Sequence, residues 1–166
     1  IQGVVAETGA TYAENAALKA QAYARQAGLL AIADDSGLEV DALGGLPGIH
    51  SARFADKPGA SDADRRATLL QRLQGVPQPW TAHFHCTVAI ATPQGELYLA
   101  DGDCYGEVIP EERGSNGFGY DPIFWMPEQR CTMAELAEDE KNQVSHRARA
   151  VAKARPILTK LISREG

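Results

Sequence analysis

A capped helix that hands over to an apolar run ending in two carboxylates constrains this chain more than any other feature. Thr11 with Glu14 three residues on has the form of a capping box, and the Ala-rich stretch after it carries the good helix formers Leu18, Lys19, Gln21 and Arg25. Gly28 is a typical C-terminal stop. The run 29–33 then reads as a short strand buried on both faces, with Asp34-Asp35-Ser36-Gly37 where strand gives way to loop, the usual site position in open α/β sheets. Adjacent carboxylates repel, and desolvation sharpens the repulsion, so near a cleft such a pair needs a cation, donor groups or bulk water. A divalent metal is the first expectation; the plain alternative is a solvated turn with Asp capping the next element.

Further along, the glycines of Gly44-Gly45-Leu46-Pro47-Gly48 exclude regular structure, and Ser61 with Asp64 starts a second helix running to Gly75. From Thr81 the pattern alternates. Ala82, Phe84, Cys86, Val88 and Ile90 share one face, and the turn at Pro93-Gln94-Gly95 leads back through Leu97 to Leu99, an antiparallel hairpin. Residues 105–109 extend the sheet, and glycines 114, 117 and 119 mark an irregular loop before Ile123-Phe124-Trp125. Thr132 with Glu135 caps a short helix, and Ser145 begins the last one, with an apolar stripe of Val151, Ala154, Leu158 and Leu161. Pro156 should kink or break that helix near Ala152, at a cost of about 3 kcal/mol if nothing compensates. The order predicts an α/β fold, a mixed central sheet flanked by helices.

With 166 residues, 44% of them hydrophobic, the chain can bury one core, and residues 1–166 read as a single domain. Sixteen basic against 22 acidic residues give a net charge of -6, which argues against nucleic acid as a partner, since a basic face supplies most of that affinity. A phosphate substrate stays open, because a few Lys and Arg around a metal site suffice. Cys86, Cys104 and Cys131 are widely spaced without a C-x-x-C pair, which suggests neither a disulfide framework nor a zinc knuckle and fits a reducing cytosol. No run of about 18 apolar residues is present and no signal pattern stands at Ile1, so the expectation is a cytoplasmic protein without a membrane partner.

Several motifs remain: Glu7-Thr8-Gly9 before Thr11-Tyr12-Ala13-Glu14-Asn15-Ala16-Ala17-Leu18-Lys19-Ala20, the Asp34 motif, the Gly44 loop, Ser115-Asn116-Gly117-Phe118-Gly119-Tyr120-Asp121-Pro122, Lys141, and Ser145-His146-Arg147. On these residues, in this order, the chain closely resembles the inosine/xanthosine triphosphate pyrophosphatase family, enzymes that cut deaminated purine nucleoside triphosphates such as ITP, dITP and XTP to monophosphate and pyrophosphate. The resemblance runs from about residue 7 to about residue 150. It implies a two-lobed fold with an active-site cleft, a homodimer, and Mg2+ held by Glu7 and Asp35. Asp35 would also accept the proton of the attacking water, with its pKa kept low by the metal. Ser36, Lys19, Phe118, Gly119, Tyr120, Asp121, Lys141, His146 and Arg147 would bind substrate, and Asp34 would support Ser36 or a water of the metal. The family also carries a first strand and a Thr/Ser-x-Asn-x-x-Lys phosphate loop ahead of the position of Glu7. That segment is not in this sequence, so the chain reads as truncated at its N-terminus and is expected to be less stable and less active than a longer form. The alternatives are a non-catalytic or inactive truncated nucleotide binder, and a Maf-like nucleotide pyrophosphatase, which would leave the Ser145 and Phe118 motifs unexplained.

The residue types suit the chemistry. Cleavage between the α and β phosphates needs an aimed water and cations to neutralise the leaving pyrophosphate, and magnesium takes one or two carboxylates plus phosphate oxygens. Lys19 on its helix would, without the resemblance, be a solvated surface residue. Phe118 offers a face on which a purine stacks, worth about 1–3 kcal/mol, with Gly117 and Gly119 letting backbone approach the base; the alternative is a core plug under a turn. Donors from Arg147, His146 or backbone N–H would favour a 6-oxo purine over adenine. Rejection of guanine would then rest on its 2-amino group.

Overall fold

The computed structural model describes residues 5–165. In chain order the elements are α1 (Tyr12–Ala27), β1 (Ala31–Val40), α2 (Asp62–Arg72), β2 (Trp80–Ala91), β3 (Leu97–Val108), β4 (Phe124–Met126), β5 (Cys131–Thr132), α3 (Glu138–Val144) and α4 (His146–Glu165), with 3-10 turns at Asp41–Leu43, Gly48–Arg53 and Asp121–Ile123. The strands form one sheet in the order β1-β2-β3-β4-β5. Glu107 pairs with Trp125 and Val108 with Phe124 across β3 and β4, and Trp125 with Thr132 across β4 and β5, both antiparallel. The expectation of a mixed sheet within an α/β fold thus narrows to an antiparallel one. Among the described residues no helix is long and apolar enough to cross a membrane.

The chain divides into two compact units. The first comprises Ile1–Ser36, Cys86–Asp103 and His146–Gly166, the second Gly37–His85 and Cys104–Ser145. In the first unit a thin helix is required, because Ala16, Ala20 and Ala24 of α1 pack on Ala31, Ala33, Ala89 and Ala91 of the strands. Thr11 Oγ1 accepts from Glu14 N at 3.1 Å, while Glu14 Oε2 accepts from Ala10 N, so the N-cap forms with its reciprocal bond shifted by one residue. Gly28 closes the helix at φ 67°. The opposite strand faces present Cys86, Val88, Ile90 and Ala100 to Ala150, Ala154 and Leu161 of α4.

Four expectations are corrected here. The strand after Gly28 is not buried on both faces and does not stop before Asp34: Leu29 is 66% exposed, Ile32 is 50% exposed, and β1 runs through Asp34, Asp35, Ser36 and Gly37 to Val40. Residues 97–99 and 105–109 are not separate segments; Leu97–Val108 is one strand, in which Gly102 and Gly106 mark close backbone approaches instead of breaks. The apolar stripe of α4 passes through Ala150 and not Val151, which is half exposed. Pro156 does not break α4, which continues for 20 residues. The residue lies on the exposed side, as does Ala152, so water can take the carbonyl that the ring leaves without its helical donor.

The second unit holds the larger core, built from Leu38, Val40, Leu69, Leu73, Trp80, Phe84, Phe124, Met126 and Met133 among others. The capping box at Ser61 and Asp64 is complete, and α2 follows it but ends at Arg72, short of the expected Gly75. The short helix at Thr132 does not form. Glu135 Oε2 does accept from Thr132 N, but Thr132 Oγ1 is turned to the Arg113 carbonyl at 2.8 Å, so the motif closes a turn after β5. A helix the sequence reading lacks, α3, starts instead at Glu138, where Glu140 accepts from Ala137 N at 2.9 Å.

Candidate functional site

Alternation along β1 decides what the two carboxylates do. Successive side chains of a strand point to opposite faces, so Asp34 and Asp35 are neighbours in sequence and separated in space, each with its own cation. Asp35 faces α1, where Asn15 Nδ2 donates to Oδ2 at 3.2 Å and Lys19 Nζ donates to Oδ1 at 3.3 Å. The same ammonium donates to Glu7 Oε1 at 2.8 Å. Lys19 is therefore no solvated helix residue but the meeting point of two carboxylates. Burial alone would lower its pKa, yet the bonds and charges of Glu7 and Asp35 outweigh that and hold it above the ordinary value. Asp35 is pushed up by burial first, partly countered by Lys19 and Asn15, and pushed further by the charge of Glu7.

Asn15 is the residue that sequence reasoning passed over. It is 1% exposed, its Nδ2 holds Asp35, and its Oδ1 accepts from Gly9 N at 2.9 Å, so one amide fixes both the carboxylate and the backbone just after Glu7. A carboxamide amid the alanines of a helix's buried face was the available signal. A Cβ on Gly9 would fall 2.6 Å from Glu14 Cβ and 2.8 Å from Asn15 Oδ1, so the start of α1 leaves room there for glycine only.

On the other face, Asp34 Oδ2 accepts from Arg147 Nε at 3.0 Å, and Arg147 Nη2 reaches Ser36 Oγ at 3.4 Å. The Cys86 thiol lies 3.7 Å from the same carboxylate; its pKa is pushed up to about 12 by burial and then by Asp34, which keeps it neutral. Asp34 supports Ser36 indirectly, by orienting the arginine between them. His146, the first residue of α4, is buried.

The second unit holds the other predicted residues. Phe118 is 59% exposed, which removes the core-plug alternative, and Lys141 Nζ stands 4.8 Å from its ring centroid. Lys141 also pairs with Asp121, whose buried Oδ2 accepts from Phe118 N at 2.9 Å. A Cβ on Gly117 would sit 2.1 Å from that oxygen, so the space at Gly117 belongs to Asp121 and Lys141 and not to a base. Tyr120 is 4% exposed and its hydroxyl donates to the Ser51 carbonyl at 2.9 Å; it anchors the loop from below. The Gly119 backbone groups are bonded, its N–H donating to Asp62 and its carbonyl accepting from Arg66, while the space a Cβ would fill is open.

With this geometry in view, the comparisons with known proteins are specific. The model of the Ham1 family matches residues 1–157. The chain belongs to the Ham1 family. A protein of Desulforamulus reducens named dITP/XTP pyrophosphatase is 52% identical over 158 residues, 95% of this chain and 78% of that protein. One of the same name from Geobacillus kaustophilus is 54% identical over 90% of this chain and 73% of its own length. The structure of a Ham1 protein from Coxiella burnetii superposes with a TM-score of 0.88 at 43% identity, covering 94% of this chain and 80% of that one. Relatives named dITP/XTP pyrophosphatase, about half identical over most of the chain, make it an enzyme.

Proposed function

We infer that this chain hydrolyses deaminated purine nucleoside triphosphates, ITP, dITP and XTP, to the monophosphate and pyrophosphate. The observation that carries the reading is the convergence of Glu7 and Asp35 on the Lys19 ammonium, in a chain about half identical to proteins named dITP/XTP pyrophosphatase. Two hard oxygen donors gathered around one positive charge are the donor set that magnesium takes from proteins. Glu7 and Asp35 are the residues that would hold the ion. Bound there, magnesium would neutralise charge on the triphosphate.

The chain's own residues do the rest. Asp35, held by Asn15 and Lys19, accepts the proton of the water that attacks the α phosphorus. Lys19 places a fixed positive charge beside it. Arg147, oriented by Asp34 and backed by Ser36, reads the 6-oxo edge of the purine, where adenine would set donor against donor. Phe118 presents its exposed ring to the base, and Lys141 keeps its charge next to that ring. His146 serves as the buried start of α4 that sets the direction of Arg147. In line with the family resemblance, the enzyme works as a homodimer in the cytoplasm.

Product analysis tests the reaction directly. Incubated with ITP and magnesium, the enzyme releases pyrophosphate and IMP; IDP with orthophosphate as first products would make it a phosphatase. Arg147→Ala tests the base reader. It lowers kcat/KM for ITP by about 10- to 100-fold and leaves the slow turnover of ATP nearly unchanged, since a bidentate contact is worth about 1–3 kcal/mol for the right base only. An equal loss for both nucleotides would move Arg147 to the phosphates.

A further inference from the structure

The start of α2 is bonded to the loop that carries Phe118. Asp62, the first residue of the helix, accepts the Gly119 N–H at 2.7 Å, and Arg66, one turn later, donates through Nη1 to the Gly119 carbonyl at 2.8 Å. Residues four apart on a helix face the same way, so one helix face holds both backbone groups of one glycine. Arg66 is itself fixed: its Nε and Nη2 donate to the two carboxylate oxygens of Glu112 at 2.8 and 2.9 Å, the fork-to-fork geometry that is the strongest of the arginine pairings. Gly119 stands at φ +61° with open space where a Cβ would be, so no packing there takes the place of these two bonds.

Phe118 itself is tied on both sides, its N–H to Asp121 Oδ2 and its carbonyl to Asp121 N at 3.2 Å. An exposed aromatic ring on a glycine-rich loop would ordinarily sweep a wide range of directions, because glycine pays the largest backbone entropy on being fixed. Here Asp62 and Arg66 from outside the loop, together with Asp121 within it, remove that freedom. A ring held in one direction loses nothing further when a base stacks on it.

We propose that Asp62 and Arg66 are positioning residues for base recognition, gripping the two backbone groups of Gly119 so that the Phe118 ring is aimed at the purine. The proposal rests on the reading of Phe118 as a base platform. Its test is steady-state kinetics of the enzyme with ITP, with inorganic tripolyphosphate as an inhibitor that has no base. Arg66→Ala raises KM for ITP by about tenfold, the size of a lost stacking contact. It leaves kcat within about twofold, as for loss of binding that is uniform along the reaction, and tripolyphosphate inhibition unchanged. Asp62→Ala, at the exposed helix start, moves KM the same way. Asp62→Asn, which keeps one acceptor oxygen for the Gly119 N–H but gives up the pairing of the other oxygen with Arg65, restores part of it. In a Phe118→Ala background Arg66→Ala adds nothing further. If Phe118→Ala raises KM but Arg66→Ala and Asp62→Ala do not, or if their effects add in full to that of Phe118→Ala, the positioning role is overturned while the base platform stands. If Phe118→Ala itself leaves KM for ITP unchanged, the platform reading fails and the proposal with it.

Discussion

Asp35→Asn lowers kcat for ITP by at least about a hundredfold and leaves the metal-free protein at least as stable as the parent. The first half follows from chemistry, since a positioned base contributes about 10²- to 10⁴-fold, and the amide can neither accept the proton nor offer magnesium an anionic oxygen. The second half follows from the environment. Burial pushes the Asp35 carboxyl above its ordinary pKa despite Lys19 and Asn15, so folding favours its protonated form. A raised carboxylate pKa gives stability that is fully present below the unfolded value and lost as pH rises through the folded one, so at neutral pH the ionised side chain is a net strain on the fold. A neutral isostere relieves it, and Lys19 keeps Glu7 at 2.8 Å. Residues retained for function at a cost to stability show this opposition. Thermal melts in the presence of a chelator, beside turnover with magnesium, measure both halves. A melting temperature that drops together with activity would make Asp35 a structural residue.

How much of this was legible in the sequence depends on the range of the interaction concerned. Both ends of α1 and the start of α2 were readable because Thr11, Gly28 and the Ser61 box act within four residues of themselves, while the end of α2 was placed at Gly75 and falls at Arg72. The same rule misled at Thr132, where the box is geometrically present but a hydroxyl bonded to Arg113, 19 residues away, diverts it. The Asp34-Asp35 pair was placed at the end of a strand, side by side, whereas β1 continues through both residues and sends them to opposite faces. Asn15 carried a local signal, a buried amide in an alanine stripe, that becomes meaningful once its partner Asp35 is known. The grip on Gly119 carried none. Its two bonds span 57 and 53 residues, and neither Asp62 nor Arg66 stands out among the charges of a surface helix until the loop is folded beneath them.

Gly102→Ala is the largest expected effect on stability. Gly102 lies in the middle of β3, and a Cβ there would stand 2.3 Å from both Ala150 N and the His146 carbonyl oxygen and 2.9 Å from Arg149 C. All three are backbone atoms of α4, which cannot turn aside as a flexible side chain can, so the helix must lift from the strand. Lifting it opens the contacts of Ala150, Ala154 and Leu161 with Cys86, Val88 and Ile90. Overpacking of this kind costs about 3 kcal/mol, which at this chain length lowers the melting temperature by about 6–12 °C. The substitution also reaches the site, because the struck carbonyl belongs to the residue before Arg147, whose Nε must stay 3.0 Å from Asp34. Discrimination between ITP and ATP therefore falls along with stability, in contrast to Asp35→Asn, where activity falls alone. A Gly102→Ala protein that melts within about 2 °C of the parent would show that β3 and α4 do not meet at this glycine, and the argument that α4 holds Arg147 in place would fall with it.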